Sequence, residues 1–122
     1  MSDPMCIYIS GPMRGYPEFN FREFDKAKIR LLRAYPDAAI ISPADRDRNN
    51  GFDPTGLTGD EDLEALGFSF RAALADDLAT ICLKATRVYM LHGWRNSGGA
   101  TAEWYTAHVV GLKVIYQDAG VV

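Results

Sequence analysis

Between Cys6 and Ile41 the chain passes from a short β-prone apolar run, through a segment with apolar residues at helical spacing, into a second short apolar run. The first run, Cys6-Ile7-Tyr8-Ile9, stops at Ser10-Gly11-Pro12 and reads as a buried central strand ending in a turn. After a loop from Met13 to Glu18, Asn20 and Glu23 have the spacing of a capping box, with Phe19 and Phe24 as its hydrophobic staple. Phe21, Phe24, Ala27, Leu31 and Ala34 then mark one helix face and Arg22, Lys26 and Arg30 the other, until Pro36 ends the pattern. Ala38-Ala39-Ile40-Ile41 is a second strand, closed by Ser42-Pro43. Strand, helix and strand in that order predict a right-handed crossover and a parallel pair.

Residues 45–62 are polar and rich in turn signals, and they read as a long loop of the kind that forms lids or stays partly mobile. A helix follows from about Phe68 to Lys84, then a strand at Arg87 to Leu91, a glycine-rich turn, a helix near Ala100 to Val110 and a last strand at Lys113 to Tyr116. The order βαβ(loop)αβαβ predicts an α/β fold: one three-layer Rossmann- or flavodoxin-like domain over residues 1–122, with a small parallel sheet of four or five strands flanked by helices. A chain of 122 residues that is 48% apolar can build such a core without disulfides or a structural metal. Ligands of these sheets bind at the carboxyl ends of the strands, where the loops Ser10 to Glu18, Ser42 to Thr58 and His92 to Gly99 must converge.

A net charge of −3 with no run of Lys or Arg argues against polymeric nucleic acid and against an anionic membrane surface as partners. No apolar stretch approaches the ~20 residues of a membrane span. Cys6 and Cys82 both sit in apolar stretches and read as small buried hydrophobes in a reducing compartment, so the expectation is a soluble, cytoplasmic protein. His92 and His108 have no Cys or carboxylate at zinc-ligand spacing, so no metal site is expected, and neither forms an evident triad.

Five features remain that can carry chemistry. Glu103 follows Ser97-Gly98-Gly99 and is expected in the first turn of its helix, where free N–H groups and the helix dipole favour the ionised form; a helix-stabilising glutamate has the same signature. Asp77 falls among Phe70, Leu74, Leu78 and Ile81 on the buried face of its helix, whereas Asp76 falls on a more exposed side. A carboxylate so placed needs a partner, either Arg14, Arg71 or loop amides, or it serves the chemistry. Gly11-Pro12-Met13-Arg14-Gly15 offers a close backbone approach and the bidentate fork of Arg14, in the manner of a phosphate-handling loop, and also fits a plain tight turn. Ser97 is placed to cap the helix or to donate to an anion at its start. Trp94 and Tyr8 are placed either to line a flat-ring pocket or to pack in the core.

Taken together, Tyr8-Ile9-Ser10-Gly11-Pro12-Met13-Arg14-Gly15, Asp77-Leu78, and Gly93-Trp94 with Ser97, Gly98, Ala100 and Glu103 resemble the nucleoside 2-deoxyribosyltransferase-like superfamily, and within it a small branch of phage and prophage genomes. The resemblance runs from about Ile7 to Tyr116. It implies that Glu103 is a nucleophile toward the anomeric carbon of a (deoxy)ribosyl group, that Asp77 protonates or positions the leaving base, and that Tyr8 orients Glu103. It also implies that Arg14, Ser97 and Gly98 hold a 5′-phosphate, as in the related 2′-deoxynucleoside 5′-phosphate N-hydrolases. Two positions depart from the pattern: Trp94-Arg95-Asn96 lacks the acidic residue that many transferases carry, and Thr86 stands where the phage branch often has Asp.

The implied activity is N-glycosidase action on (deoxy)ribonucleoside 5′-monophosphates through a covalent glycosyl-enzyme intermediate, with no cofactor and in a homodimer or higher homo-oligomer. Cleavage passes through an oxocarbenium-like state that a carboxylate stabilises and traps, while a second acid delivers a proton to the base. The alternatives are a nucleoside 2-deoxyribosyltransferase, a phosphoribohydrolase that releases cytokinin bases, whose glycine-rich turn Ser97 to Glu103 also resembles, and a non-catalytic protein that sequesters a nucleotide.

Overall fold

The computed structural model describes residues 4–119. Strands β1 (Cys6–Ser10), β2 (Ala39–Ile41), β3 (Arg87–Met90) and β4 (Lys113–Tyr116) form one sheet in the order β2-β1-β3-β4, with every neighbouring pair parallel. Helices α1 (Phe21–Ala34), α2 (Pro43–Asn49), α3 (Phe70–Leu83) and α4 (Gly98–Val109) complete the α/β domain.

Period-2 alternation along the strands splits the core into two layers. Ile7 and Ile9 of β1 and Tyr89 beyond them in β3 join Phe21, Phe24, Ala27 and Leu31 of α1. On the opposite face Tyr8, Val88 and Met90 pack with Ile81 of α3 and with Ala100 and Ala107 of α4. The sheet therefore lies between α1 on one side and the α3/α4 pair on the other, the three-layer arrangement expected from the element order. Among the described residues no helix is long and apolar enough to cross a membrane.

Three local expectations need correction. Residues 43–49 form a helix, α2, because Pro43 supplies a pre-set φ at its first turn; the long loop starts only after it. Asn20 precedes α1 in a left-handed conformation and makes no side-chain cap; its Nδ2 instead donates to the Pro12 carbonyl at 2.8 Å and ties the β1 loop to the helix start. Cys82 is exposed rather than buried, on the outer side of α3.

The loop from Gly51 to Ser69 is anchored at many points. Phe52 packs against Phe19 and Phe68 with ring centroids 5.5 and 4.9 Å away. Main-chain bonds run from Gly15 N to Gly59 O and from Glu18 N to Leu57 O, both 2.9 Å. At Gly59, with φ 98°, a Cβ would stand 2.0 Å from the Tyr16 carbonyl oxygen, so only glycine permits this approach. Thr86, just before β3, donates to the Cys6 carbonyl and accepts from the Cys6 N–H, which makes it a bracket for the start of β1.

Candidate active site

Tyr8 and Ser10 are two residues apart in β1, so both point to the α3/α4 side, and both end on Glu103. Tyr8 Oη donates to Oε2 at 2.6 Å and Ser10 Oγ to Oε1 at 2.7 Å. Glu103 is 5% exposed and forms part of the wall of a cavity of about 730 Å³ at the carboxyl ends of the strands. The expectation that Glu103 sits in the first turn is corrected: α4 begins at Gly98, which puts Glu103 in the second turn, one side-chain layer below the free N–H groups. Helix polarity fades beyond the first turn. Burial instead dominates and, with the nearby charge of Asp77, pushes Glu103 up to about 8 against the opposing effect of the two hydroxyl donors.

Asp77 also lines the cavity, from α3. Its partner is neither Arg14 nor Arg71 but Arg46 of α2, whose Nη1 lies 3.0 Å from Oδ1 while Nη2 donates to Thr80 Oγ1 at 2.8 Å. Burial raises Asp77 to about 6, with Arg46 and the Tyr8 hydroxyl acting against it. Glu103 is raised further than Asp77 because it is more deeply buried and has no cation beside it, whereas Arg46 holds Asp77 down.

A third carboxyl, Asp47 of α2, completes the group and went unrecognised in the sequence. It is 6% exposed, lines the cavity, and is pushed up to about 7 by burial and by Asp77. The signal that points to it is helical: Pro43 starts α2, and Ala44 and Asp47, one turn apart, share its buried face. Among the described residues no group of three His, Cys, Asp or Glu side chains is placed to hold a metal ion.

The remaining predicted residues divide. Gly11, Met13, Arg14, Ser97 and Gly98 line the cavity. Arg14 does so while its fork holds the long loop: Nη1 donates to the Glu61 carbonyl at 2.9 Å and Nη2 to that of Asp60 at 3.4 Å. Ser97 caps α4, its Oγ accepting from Ala100 N at 3.2 Å, which leaves its hydroxyl proton free to donate. Ser10 reaches the site through Glu103, and Tyr8 through Glu103 and Asp77. Pro12 and Gly15 shape the turn after β1; Gly15 has φ 86°. Trp94 stacks on Trp104, centroids 5.2 Å apart, inside the α3/α4 core and away from the cavity lining.

No curated protein and no solved structure matches the chain. A family profile does match, over residues 5–116. That span takes in all four strands and every residue placed above in the cavity wall, and by it the chain belongs to the family described as Domain of unknown function (DUF4406).

Proposed function

We propose that this protein is an N-glycosidase of nucleoside 5′-monophosphates in which Glu103 is the nucleophile. The observation that carries this reading is the Glu103 carboxyl itself: nearly buried, facing a cavity large enough for a nucleotide, with each oxygen fixed by a hydroxyl donor. Two donors aimed at one carboxylate orient it and stabilise its ionised form at the moment of attack.

In the reaction one Glu103 oxygen bonds to the anomeric carbon as the carbon–nitrogen bond breaks, and that bonding pair leaves with the base, which takes a proton from the neighbouring acids. Water then cleaves the glycosyl ester, releasing the sugar phosphate and restoring the carboxyl. The start of α4 supports a phosphate site, since the Ser97 hydroxyl and the first-turn N–H groups of Gly98 and Gly99 border the cavity without intrahelical acceptors. Arg14 is the cationic side chain of the lining.

Chromatography of a panel of monophosphates after incubation tests the reading. Free base with wild type, none with Glu103→Ala and a sugar adduct by intact mass are expected; equal release by Glu103→Ala ends it. A second reading, nucleotide binding without turnover, draws on the upward displacement of Glu103, which leaves it largely neutral at pH 7. Tight binding by calorimetry, unchanged by Glu103→Gln and without base release, selects that reading.

The same proposal includes a homo-oligomer. Leu83 at the end of α3 and Tyr105 and Val109, one turn apart on α4, present apolar side chains outward, 81%, 64% and 68% exposed, surface that a second copy could cover. Light scattering at micromolar concentration checks it, and a monomer refutes it.

A further inference from the structure

Asp47 is a buried, cavity-facing acid to which the proposed reaction gives no task. It is adjacent to Arg46, yet the two side chains diverge: Arg46 turns to Asp77 and Thr80 on α3, whereas Asp47 faces the cavity. Its main chain is fixed, with Phe52 N donating to its carbonyl at 2.9 Å. Among the described residues no group donates a hydrogen bond to its carboxyl, although the residue is 6% exposed. Its carboxyl oxygens are not sealed off but open on the cavity, so a donor on a molecule bound there can reach them.

The surroundings say what kind of donor fits. Phe52 and Phe68, in contact with each other, also line the cavity, and so do Asp60, Asp62 and Glu64 of the long loop. This region offers flat apolar walls and acceptors. Arg14, the lining's cation, already donates to the carbonyls of Asp60 and Glu61.

Sheet order fixes where the region lies. β1, whose Tyr8 and Ser10 hold Glu103, stands between β2, which leads into α2, and β3, which leads into the Trp94–Ser97 turn and α4. Asp47 and the start of α4 therefore flank Glu103 from opposite sides. With the anomeric carbon at Glu103 and the phosphate at Ser97 and Gly98, the base extends toward Asp47; this orientation rests on the N-glycosidase reading above.

We propose that Asp47 receives hydrogen-bond donors of the departing base, so that the pocket prefers bases with an exocyclic amino group, adenine, cytosine and guanine, over their oxo counterparts hypoxanthine, uracil and xanthine. A carboxylate presents acceptors alone. An amino group satisfies it, while an oxo group sets two acceptors face to face and leaves both unpaired. Sites built around such a hydrogen bond discriminate strongly against the analogue that lacks it.

The test is calorimetric titration of wild type at pH 8, above the value of about 7 to which Asp47 is raised, with the pairs AMP and IMP, GMP and XMP, and CMP and UMP. The amino member of each pair is expected to bind on the order of tenfold to a hundredfold tighter. Asp47→Asn, nearly isosteric and checked for folding by circular dichroism, gains a donor and is expected to bring the ratios close to one. Equal wild-type affinities within the pairs overturn the proposal, whatever the variant does, and so does an unchanged ratio in a folded Asp47→Asn. Base release from the same nucleotides is followed in parallel. Amino preference in binding with no release from any nucleotide sinks the N-glycosidase reading and leaves the base preference standing. Release with no preference sinks the base preference alone, and failure to bind any of the nucleotides sinks both.

Discussion

The Tyr8 hydroxyl stands 2.6 Å from Glu103 Oε2, a bond between a strand residue and a helix residue 95 positions apart in the chain. It works against burial: the pocket favours the neutral acid, the hydroxyl favours the anion, and Glu103 settles at about 8. Tyr8→Phe keeps the ring that packs against Val88 and Met90 and removes only the donor. The apparent pKa of Glu103 is expected to rise further, and base release at pH 7 to fall on the order of tenfold to a hundredfold. A pH–rate profile checks both; a pKa that stays or falls in the variant shows that Tyr8 does not support the anion.

Catalysis by the proposed route needs Glu103 ionised while an acid of the cluster keeps its proton. Glu103 lies at about 8 and Asp77 at about 6, so the reactive form carries the proton on the group that holds it less tightly. Activity therefore rises as pH increases toward the Asp77 value, is flat between the two, and falls once both acids are stripped. In kcat/KM the lower limb is expected near pH 6 and the upper near pH 8, as properties of the cluster rather than of one residue. A rate still climbing at pH 10 contradicts the shared-proton scheme.

The layers of this fold are legible in the sequence because they depend on periodicity. Ile7 and Ile9 against Tyr8 and Ser10, and Phe21, Phe24, Ala27 and Leu31 along α1, already separate the two faces of the sheet. Glu103, Tyr8 and Asp77 were expected at one site, and the structure gathers them there. The partners of these groups were not legible, since Arg46 and Asp47 sit in a seven-residue helix whose polar sequence Pro43 to Asn49 has too few apolar positions to show a period. Arg14 shows the opposite limit. A guanidinium in a glycine-bearing loop reads the same whether it holds an anion or two loop carbonyls, and only tertiary placement of Asp60 and Glu61 decides.

Glu103 lies above its unfolded value, and stability follows with a definite sign. The folded state keeps the Glu103 proton to about pH 8, whereas the unfolded chain releases it near 4.5. The stabilisation is thus fully present below about pH 4.5 and is lost as pH rises to 8; Asp47 and Asp77 act in the same direction. Glu103→Gln removes the largest of these penalties. Its stability relative to wild type is expected to grow by up to about 1.4 kcal/mol per pH unit across that window. Urea denaturation at pH 5.5 and 8.5 measures it, and a difference independent of pH would falsify the assignment.

Arg46 bridges α2 to α3 through Asp77 and Thr80 and is about one quarter exposed. Arg46→Met keeps much of the apolar stem and removes the charge. Partial exposure screens the pair, so the expected loss is about 1–3 kcal/mol rather than that of a fully buried bridge. Without the cation Asp77 is expected to move above 6, which shifts the lower limb of the activity profile upward. Loss of stability with an unmoved limb would mean that Arg46 braces the helices without setting the charge of Asp77.

Gly11 borders the cavity, but what requires glycine there is packing. A Cβ at Gly11 would stand 2.7 Å from Leu91 Cβ, a residue 1% exposed at the end of β3. Leu91 N also donates to the Ser10 carbonyl at 2.8 Å, so neither strand end can withdraw alone. Gly11→Ala is expected to cost about 1–3 kcal/mol by overpacking. Because Ser10 is the next residue and its Oγ holds Glu103 Oε1, base release is expected to fall with it. Gly15→Ala provides the contrast: its Cβ meets nothing within 4 Å, and only the φ of 86° opposes it, a penalty of about 1 kcal/mol with no route to Glu103. Denaturation and base-release assays on the two variants separate packing from backbone conformation. A Gly11→Ala protein as stable and active as Gly15→Ala would show that the end of β1 yields freely, and that the hold of Ser10 on Glu103 does not depend on its fit against Leu91.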